Sequence, residues 1–363
     1  MNVTYGKIPV IIPALNPDNR IFSFISSLKD EGFTNIVVVD DGSDDAHRTD
    51  VLEKLTGEGI TVLEHNGNKG KGVALKTGMS YVYRAMNDSL GVITADYDGR
   101  QRADAVAKVA DKLINGTKLV LGVRDLNNTS MSNGMRRGYK LTGMVFRLLY
   151  TKDIKDIQTG LRGITYSLIP EMLEIKGKRY EYEPKMLVYA VRNEIPVEHI
   201  DAGPIRPLES DNETLYISDN FRTFADSFRI SIALFLNFLE YALTSITATI
   251  VDFLLFFILS EFVFVNMDLN ICVLLSTILA RVVSATLSFT INRKIVFKSD
   301  ADLKKSIFRF YTLSALVMLC SAELVTLFVT LFGGNKTITK LFVDLCLFFV
   351  SYQIQQRVIF RKK

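Results

Sequence analysis

Two acidic residues follow a short apolar run in the first third of the chain. Asp96 and Asp98 flank Tyr97, directly after the run Gly-Val-Ile-Thr-Ala at residues 91–95. Because this run is typical of a buried strand, both carboxylates belong to the loop at its end and can converge on one cation. Hard divalent cations such as Mg²⁺ take oxygen ligands and bind together with substrate phosphates. The pair therefore predicts a site for Mg²⁺ or Mn²⁺ that also binds a nucleotide diphosphate.

Polar residues end two other strand-like runs in the same way. Short β-rich runs at 8–14, 35–41, 60–65, 90–96 and 118–124 alternate with helix-like segments at 18–30, 44–56, 70–86 and 103–115. This alternation predicts a mostly parallel, doubly wound α/β sheet, whose ligands bind beyond the carboxyl ends of the strands. Pro13, Ala14 and Asn16 lie at the end of the first run, and Asp40 and Asp41 end the second. We expect all of them to share one site with the acidic pair.

A segment rich in glycine and lysine, Asn-Lys-Gly-Lys-Gly at residues 68–72, opens the third helix-like stretch. Its glycines allow close approach of the backbone, and the helix N-terminus together with Lys71 favours phosphate. It lacks the spacing and the terminal Gly-Lys-Ser/Thr of a nucleotide P-loop. We expect it to contribute phosphate binding to the same site.

The composition changes sharply near residue 230. Over the 363 residues, 48% are hydrophobic and 23% are charged, averages that would suit a soluble protein. They conceal four long apolar stretches, at 234–260, 270–291, 310–332 and 340–354. A bilayer core needs about 20 mostly apolar residues per helix, which the fourth stretch reaches only if it continues toward Phe360. The sequence thus predicts four membrane-spanning helices.

The basic residues predict how these helices are oriented. Lys and Arg cluster before the first stretch, between the second and third, and at the end of the chain, whereas the loop at 260–270 has none. By the positive-inside rule, the N-terminal domain and the C-terminus are expected on the cytoplasmic side of the cell membrane.

Phe221, Phe224 and Phe228 fall on one face of a helix-like segment before the first apolar stretch. This pattern favours an interfacial helix over an ordinary linker packed on the soluble domain. The expected organisation is a cytoplasmic domain over 1–213, an amphipathic linker helix over 214–230, and a membrane domain over 231–363.

The membrane half contains an internal sequence repeat. The segment FTINRKIVFK at 289–298 is similar to YQIQQRVIFR at 352–361. This predicts two helix hairpins related as parallel repeats. The first stretch of each hairpin carries an acid, Asp252 or Glu323, and an ionisable residue within a span costs about 2.5–3.5 kcal/mol on insertion scales. Arg281 is the expected partner of one of them. A structural ion pair and a role in contacting or moving a lipid phosphate are the two open interpretations.

Five segments occur in the order found in family-two glycosyltransferases: VIIPALN (10–16), VVVDDGSDD (37–45), NKGKGVALKTG (68–78), ADYDG (95–99) and DIQTGLRG (156–163). Over residues 7–210 the chain most resembles the branch of dolichyl-phosphate mannose synthase and bacterial polyprenyl-phosphate glycosyltransferases. The membrane half is similar to GtrA-like four-helix proteins through NRKIVF at 292–297. The resemblance implies an α/β nucleotide-sugar-binding domain of the GT-A type, followed by an all-α membrane domain with four spans.

The resemblance implies roles for the matched residues. Those that would bind the nucleotide sugar are Pro13, Ala14, Asn16, Asp40, Asp41, Lys71 and Asp96. Asp98, with Asp96, would hold the metal. Those that would hold the acceptor phosphate are Arg124, Arg136 and Arg206, because the guanidinium presents a fixed fork of donors. Arg162, in the block flanking the acceptor, and Glu183, at the far side of the pocket, would join Asp96, Asp98, Arg124 and Arg136 as catalytic residues.

The chain departs from this branch at three places. Pro17 stands where a Glu usually follows the first-motif Asn. A Gln commonly follows Asp-x-Asp-x as a metal ligand, but here Arg100 does, and Gln101 comes next. An arginine cannot ligate a cation, since it has no acceptor atom. The loop after Pro204 lacks the usual Lys- or Ser-rich acceptor clamp and leaves Arg206 as its basic candidate.

The activity implied by the resemblance is inverting transfer of a hexose from UDP-glucose, UDP-N-acetylglucosamine or GDP-mannose to polyprenyl phosphate, for cell-envelope glycosylation. Its partners would be the nucleotide sugar, the polyprenyl phosphate and the bilayer, with no nucleic acid; homo-oligomerisation stays open. The alternatives are a non-catalytic nucleotide-sugar sensor in the membrane and a translocator of lipid-linked sugar. A processive polysaccharide synthase is excluded, because its Gln-x-x-Arg-Trp element needs a tryptophan and the chain has none.

Overall fold

A computed structural model describes residues 5–97, 101–125, 133–150, 154–204, 213–297, 299, 301–332 and 336–360. The predicted site residues Asp98 and Arg206 lie outside this part of the chain. The chain divides into two compact units, Met1–Leu234 and Phe235–Lys363.

The first unit contains one seven-stranded sheet. Its strands are β1 (Val10–Ala14), β2 (Ile36–Asp40), β3 (Thr61–Glu64), β4 (Gly91–Thr94), β5 (Leu119–Asp125), β6 (Arg162–Thr165) and β7 (Val197–Pro204). Their order across the sheet is β3-β2-β1-β4-β6-β5-β7. β6 is antiparallel to both of its neighbours, and the other pairs are parallel. The mostly parallel α/β sheet expected from the sequence is therefore confirmed.

The five predicted strands all form, whereas β6 and β7 were not foreseen. β6 reads Arg-Gly-Ile-Thr and β7 reads Val-Glu-His-Ile-Asp-Ala-Gly-Pro, so neither shows a continuous run of β-branched or apolar residues. Their pairing with β4 and β5 decides their conformation, because strand preference depends strongly on neighbouring strands.

Among the described residues up to 204, eight α-helices connect or flank these strands. They are α1 (Arg20–Asp30), α2 (Asp45–His47), α3 (Glu53–Gly57), α4 (Lys71–Ala85), α5 (Ala103–Ile114), α6 (Asn133–Tyr150), α7 (Ile169–Glu174) and α8 (Tyr182–Arg192). A π-helical turn at Arg48–Leu52 joins α2 to α3, so the predicted helix over 44–56 is continuous. The other three predicted helices form within two residues of the expected bounds.

Both faces of β1 are buried, as a parallel strand covered on two sides requires. Ile12 packs into the apolar core that also contains Ile25 of α1 and Val109 of α5. Ile11 points to the opposite face, where it meets Gly78 of α4, a position at which a Cβ would lie 2.5 Å from the Ile11 side chain. The strand ends therefore have fixed positions relative to α4.

The direction of β6 brings Arg162 to the functional edge of the sheet. Arg162, its first residue, pairs with Thr94 near the end of β4 and with Leu121 of β5. Because β6 runs antiparallel, its beginning lies at the edge where the parallel strands finish. The block before β6 is thereby placed beside the loop that follows β4.

The second unit consists of long apolar helices. They are the later part of α9 (Glu213–Ile258), α10 (Leu269–Ile291), α11 (Leu303–Phe332) and α12 (Lys336–Ile354). Four helical stretches among the described residues are long and apolar enough to cross a membrane: Phe238–Val263, Leu269–Val296, Leu303–Leu331 and Ile338–Ile359. The four predicted spans are confirmed. Residues 214–230 are helical, within α9. Their role as an amphipathic linker stays a prediction.

The predicted repeat is visible in the backbone of the second unit. α10 ends in a π-helical turn at Asn292–Val296, and α12 ends in one at Gln355–Ile359. The two turns begin 63 residues apart, the offset that aligns the two sequence segments. Each hairpin thus ends in a π-helical turn, as a repeat predicts, and a third such turn at Leu259–Val263 ends α9.

The two repeats contact each other reciprocally. Phe289 of the first packs against Phe360 of the second, with ring centroids 5.5 Å apart. The equivalent pair, Tyr352 and Phe297, has centroids 5.8 Å apart. Such exchanged contacts are those of a two-fold axis.

Two equivalent residues meet where this axis passes. Asn292 donates from Nδ2 to Oε1 of Gln355, its counterpart, at 3.1 Å. Gln355 in turn donates to the hydroxyl groups of Tyr241 and Ser351, at 3.0 and 3.1 Å. A buried polar network therefore joins the hairpins.

An ion pair lies within the first hairpin. Nη2 of Arg281 is 3.3 Å from Oδ2 of Asp252, and Ser284 donates to the other oxygen of Asp252 at 2.9 Å. The expected partnership of Arg281 with an intramembrane acid is confirmed for Asp252. The pair links α9 to α10, which supports the structural interpretation.

Replacing Gln355 with Leu should weaken the contact between the hairpins. The change removes two hydrogen bonds between the hairpins, those with Asn292 and Tyr241. They are worth about 1 kcal/mol in a membrane setting, and the buried Nδ2 of Asn292 is left without an acceptor. Thermal unfolding of the full chain in detergent, followed by far-UV circular dichroism, should show a lower midpoint. The control is Thr247→Ala, because the exposed Thr247 hydroxyl donates to the Leu243 carbonyl of its own helix. An equal shift in both variants would contradict this assignment.

Candidate active site

The loops after β1 and β2 are joined through Ser43. Its amide and hydroxyl donate to Oδ1 of Asp40, at 2.9 and 2.5 Å, and its Oγ accepts from the amide of Asn16 at 2.8 Å. Oδ1 of Asn16 accepts from the amide of Asp44 at 3.0 Å. The structure thus brings the predicted residues Asn16 and Asp40 together.

Asp40 offers a buried acceptor at this place. Its side chain is fully buried, and Oδ2 has no hydrogen-bond donor among the described residues. The nearest cation is Nη2 of Arg48, 3.7 Å away. A buried carboxylate oxygen without a donor is costly, so this atom is suited to a donor supplied by a ligand.

Asp41 uses both oxygens to hold the loop before α4. Oδ1 accepts from the amide of Lys69 at 2.9 Å and lies 2.8 Å from Nδ1 of His65. Oδ2 accepts from the amide of Gly70 at 2.7 Å. His65 also contacts Oγ1 of Thr77, on the second turn of α4, through Nε2 at 2.9 Å. These bonds favour a positioning role for Asp41 over direct contact with a ligand.

Two residues at the end of β1 support the same arrangement through their backbone. Pro13 pairs with Val39 of β2, and the carbonyl of Ala14 accepts from the amide of Asp41 at 2.8 Å. Gly42 follows in a left-handed conformation, with φ of 84°, and a Cβ there would lie 2.7 Å from the amide nitrogen of Asn68. The loop after β2 and the loop before α4 are therefore in close backbone contact.

Lys71 joins the acidic loop to α8. Its Nζ lies 2.8 Å from Oδ1 of Asp96 and 3.2 Å from Oε2 of Glu183. Burial would lower the pKa of Lys71, but the carboxylates of Asp96 and Glu183 raise it above its ordinary value. Oε1 of Glu183 is buried and has no hydrogen-bond partner among the described residues. The three predicted residues form one charged cluster, which we call the lysine–carboxylate cluster.

Glycines allow α4 and α8 to approach each other at this cluster. A Cβ on Gly72 would lie 2.6 Å from Cβ of Tyr182, and one on Gly70 would meet the carbonyl of Lys178. The amide of Val73 donates to that carbonyl at 3.2 Å. The Gly-Lys-Gly spacing predicted for phosphate therefore also serves helix packing.

A third glycine fixes the carboxylate of Asp96. A Cβ on Gly160 would lie 2.7 Å from Cγ of Asp96, so only glycine leaves room for that carboxylate. The Gly160 carbonyl accepts from Oγ1 of Thr94 at 2.8 Å. On its other side, Gln101 accepts from the Asp96 amide at 3.0 Å and donates to Oδ2 at 3.3 Å. Gln101, one position beyond the expected place for a ligand Gln, is thus in contact with Asp96.

Arg124 is engaged by a buried acid. Its Nε and Nη2 lie 2.6 and 2.9 Å from the two oxygens of Asp156, and its guanidinium lies 4.9 Å from the ring centroid of Tyr139. Burial would lower the pKa of Arg124, and Asp156 raises it well above the ordinary value. Arg136, half-buried, lies in the first turn of α6. Direct contact of either arginine with a phosphate stays a prediction.

Arg162 has a different environment from the one expected of a catalytic residue. Its side chain is fully buried and donates to three carbonyls, those of Ile157 at 2.9 Å, Thr159 at 2.9 Å and Glu183 at 2.5 Å. Burial lowers its pKa. The guanidinium thus connects the segment before β6 to the first turn of α8. These contacts favour a role for Arg162 in positioning Glu183.

Reasoning from the sequence assigned no role in the site to Ser43 or His65. Ser43 follows Asp40 by three residues, a spacing typical of side-chain-to-backbone turns. His65 ends the third strand-like run, at the same edge as the acidic residues. The strand-end argument applied to Asp40 and Asp96 could have identified it.

Replacing Arg162 with Met should destabilise the first unit. Three buried carbonyls would lose their donor, which costs roughly 3 kcal/mol and lowers the thermal midpoint by roughly 6–12 °C. Circular dichroism of the full chain in detergent measures this change. The matched control is Arg84→Met on the exposed side of α4, which should shift the midpoint by less than about 2 °C. A near-normal midpoint for the Arg162 variant would refute the structural role.

Two family models match successive parts of the chain. The model of glycosyl transferase family 2 matches residues 10–169, and the model of the GtrA/DPMS transmembrane domain matches residues 240–360. With its four apolar helices, the chain is a multi-pass membrane protein.

Among curated proteins, an uncharacterized protein of Methanocaldococcus jannaschii is 31% identical over 210 residues, covering 54% of this chain and 83% of that protein. UDP-N-acetylglucosamine–dolichyl-phosphate N-acetylglucosaminyltransferase of Methanococcus voltae is 28% identical over 210 residues, covering 53% and 82%. Among solved structures, glucosyl-3-phosphoglycerate synthase of Mycobacterium tuberculosis is 18% identical, with a TM-score of 0.46, covering 62% of this chain and 79% of that one. The resemblance read from the five motifs is confirmed, and the chain belongs to glycosyl transferase family 2, with a GtrA/DPMS transmembrane domain after its catalytic domain.

Proposed function

We propose that this chain transfers a hexose, with inversion, from a nucleotide-diphosphate sugar to the phosphate of a membrane polyprenol. The observation that carries the proposal is the presence in one chain of the lysine–carboxylate cluster and four membrane-crossing helices. The relative from Methanococcus voltae, named for UDP-N-acetylglucosamine and dolichyl phosphate, supports a donor and an acceptor of these kinds. The product would be a polyprenyl-phosphate sugar for cell-envelope glycosylation.

The donor would bind across the ends of β1, β2 and β4. The free oxygen of Asp40 can accept a hydrogen bond from the nucleoside. Lys71, at the N-terminus of α4, provides positive charge for the diphosphate, and the helix end adds to it. Glu183 has one buried oxygen available for a sugar hydroxyl.

A divalent cation, Mg²⁺ or Mn²⁺, suits the charges of this site. Asp96 and Glu183 supply two carboxylates around a single ammonium group, and Gln101 places a carbonyl oxygen beside Asp96. Asp96 would hold the cation together with Asp98. No cluster of three or more His, Cys, Asp or Glu residues occurs in the described part of the chain. When bound, the cation would neutralise the leaving diphosphate.

The acceptor requires little acid–base chemistry. A polyprenyl phosphate is anionic at neutral pH, so catalysis consists of positioning the two substrates and stabilising charge. Arg124, Arg136 and Arg206 are the proposed contacts for the acceptor phosphate. Asp156 holds Arg124 by two hydrogen bonds, which fixes the direction of its remaining donors.

The membrane half explains where the reaction would take place. The distribution of Lys and Arg supports a catalytic domain and a C-terminus in the cytoplasm, at the cell membrane. The polyprenol would then stay in the bilayer while its phosphate reaches the domain at the surface.

The activity can be tested with purified full-length protein and polyprenyl phosphate. Radiolabelled UDP-glucose, UDP-N-acetylglucosamine and GDP-mannose are supplied in turn with MgCl₂ or MnCl₂, and lipid-linked product is extracted into organic solvent. We expect label in the lipid with one donor, and Asp96→Asn should abolish it. Nucleotide binding without lipid-linked product from any of the three would refute the proposal in favour of a sensor.

Replacing Gly160 with Ala should impair transfer without unfolding the protein. The added methyl group displaces the Asp96 carboxylate, and an error of about 1 Å in such a group costs roughly a hundred-fold in rate. The measurement is kcat/KM, with the thermal midpoint recorded for the same sample. Gly143→Ala, on α6, is the matched control, because nothing lies within 4 Å of the new methyl group. Unchanged kcat/KM in the Gly160 variant would show that Asp96 need not be held there.

A further inference from the structure

Lys71 contacts a carboxylate oxygen of Asp96, a residue predicted to bind the divalent cation. Its Nζ lies 2.8 Å from Oδ1 of Asp96, the distance of a direct ion pair. Asp96 belongs to the acidic loop expected to bind metal, yet in this structure the positive charge beside it is an ammonium group. Two cations on one carboxylate oxygen repel each other strongly, because the energy of such a pair rises as the separation falls.

We propose that Lys71 holds the cation position in the nucleotide-free enzyme and leaves Asp96 when a nucleotide diphosphate and a divalent cation bind together. This inference rests on the proposed function, because it concerns the same donor site. The incoming diphosphate gives the ammonium group a new anionic partner, and Asp96 becomes available to the metal. Lys71 thereby makes tight metal binding depend on the nucleotide.

The surroundings allow Lys71 to move while its backbone stays in place. Lys71 is the first residue of α4, and the preceding loop is held by the bonds from Lys69 and Gly70 to Asp41. A lysine side chain is long and flexible and carries a compact charge. The Lys71 side chain is 18% exposed, so the surrounding residues do not enclose it completely.

Glu183 keeps the ammonium group nearby during this exchange. Oε2 lies 3.2 Å from Nζ of Lys71, and the Glu183 side chain is 5% exposed. A buried carboxylate needs a compensating charge. We therefore expect Lys71 to turn from Asp96 toward the phosphates without leaving Glu183.

Metal and nucleotide binding must then be coupled in both directions. A ligand that removes Lys71 from Asp96 raises the affinity for the cation, and the cation raises the affinity for that ligand by the same factor. Coupling of this kind typically amounts to about 5–150-fold.

The test is titration of Mn²⁺ alone into full-length protein in detergent, with free Mn²⁺ measured by electron paramagnetic resonance. We expect wild-type protein to bind Mn²⁺ weakly, and UDP or GDP to tighten binding at least about ten-fold. Lys71→Met should bind Mn²⁺ without nucleotide at least about ten-fold more tightly than wild type, and should gain less from UDP or GDP.

Two further variants test whether the effect on Mn²⁺ affinity comes from the Lys71 side chain at Asp96, from the loss of a positive charge, or from unfolding. Lys69→Met removes an equal charge from the same loop, where Lys69 is exposed, and should leave Mn²⁺ affinity unchanged. Lys71→Arg keeps a positively charged side chain at this position and should bind Mn²⁺ as weakly as wild type. The proposal therefore stays testable even if the Met variant unfolds.

Tight Mn²⁺ binding by nucleotide-free wild-type protein would overturn the proposal. An equal increase in Mn²⁺ affinity in the Lys69→Met and Lys71→Met variants would also overturn it. Neither measurement requires sugar transfer. Coupled Mn²⁺ binding without lipid-linked product would therefore count against the proposed function alone, and transfer without coupling against this inference alone.

Discussion

The carboxylate of Asp41 is the contact on which the arrangement of the site depends. It lies at the end of β2 and accepts bonds from the backbone just before α4, while His65 extends the connection to the second turn of that helix. The bonds set the position of α4 and so of Lys71. Lys71 in turn reaches Asp96 after β4 and Glu183 on α8. A short chain of charged contacts thus connects three elements that are far apart in sequence.

Much of this architecture could be predicted from local patterns. Apolar runs followed by polar residues identified β1, β2 and β4, and the long apolar stretches identified the spans. Both signals are local, since a buried strand or a membrane helix must be apolar along its own length. The proximity of Lys71 to Asp96 also followed, because parallel strands end at one edge.

The division of labour among these residues could not be predicted in the same way. Asp40 and Asp41 are adjacent and chemically identical, yet one keeps an oxygen free and the other uses both within the chain. Arg124 was predicted to hold the acceptor phosphate and Arg162 to be catalytic, but both contact partners from distant segments of the chain. Tertiary contacts decide which polar atoms already have a hydrogen-bond partner, and a sequence motif does not contain this information. β6 was missed for a related reason, because its neighbours define it.

The two-fold relation in the membrane half has an evolutionary consequence. Contacts exchanged between equivalent residues, with Asn292 opposite Gln355, are those of a symmetric dimer of one hairpin. Joining two copies in one chain fixes their ratio and frees each copy to diverge. Arg281 and Asp344 hold equivalent places, 63 residues apart by the same offset, and carry opposite charges. A duplicated and fused gene can acquire such an asymmetry, whereas a dimer of identical hairpins cannot.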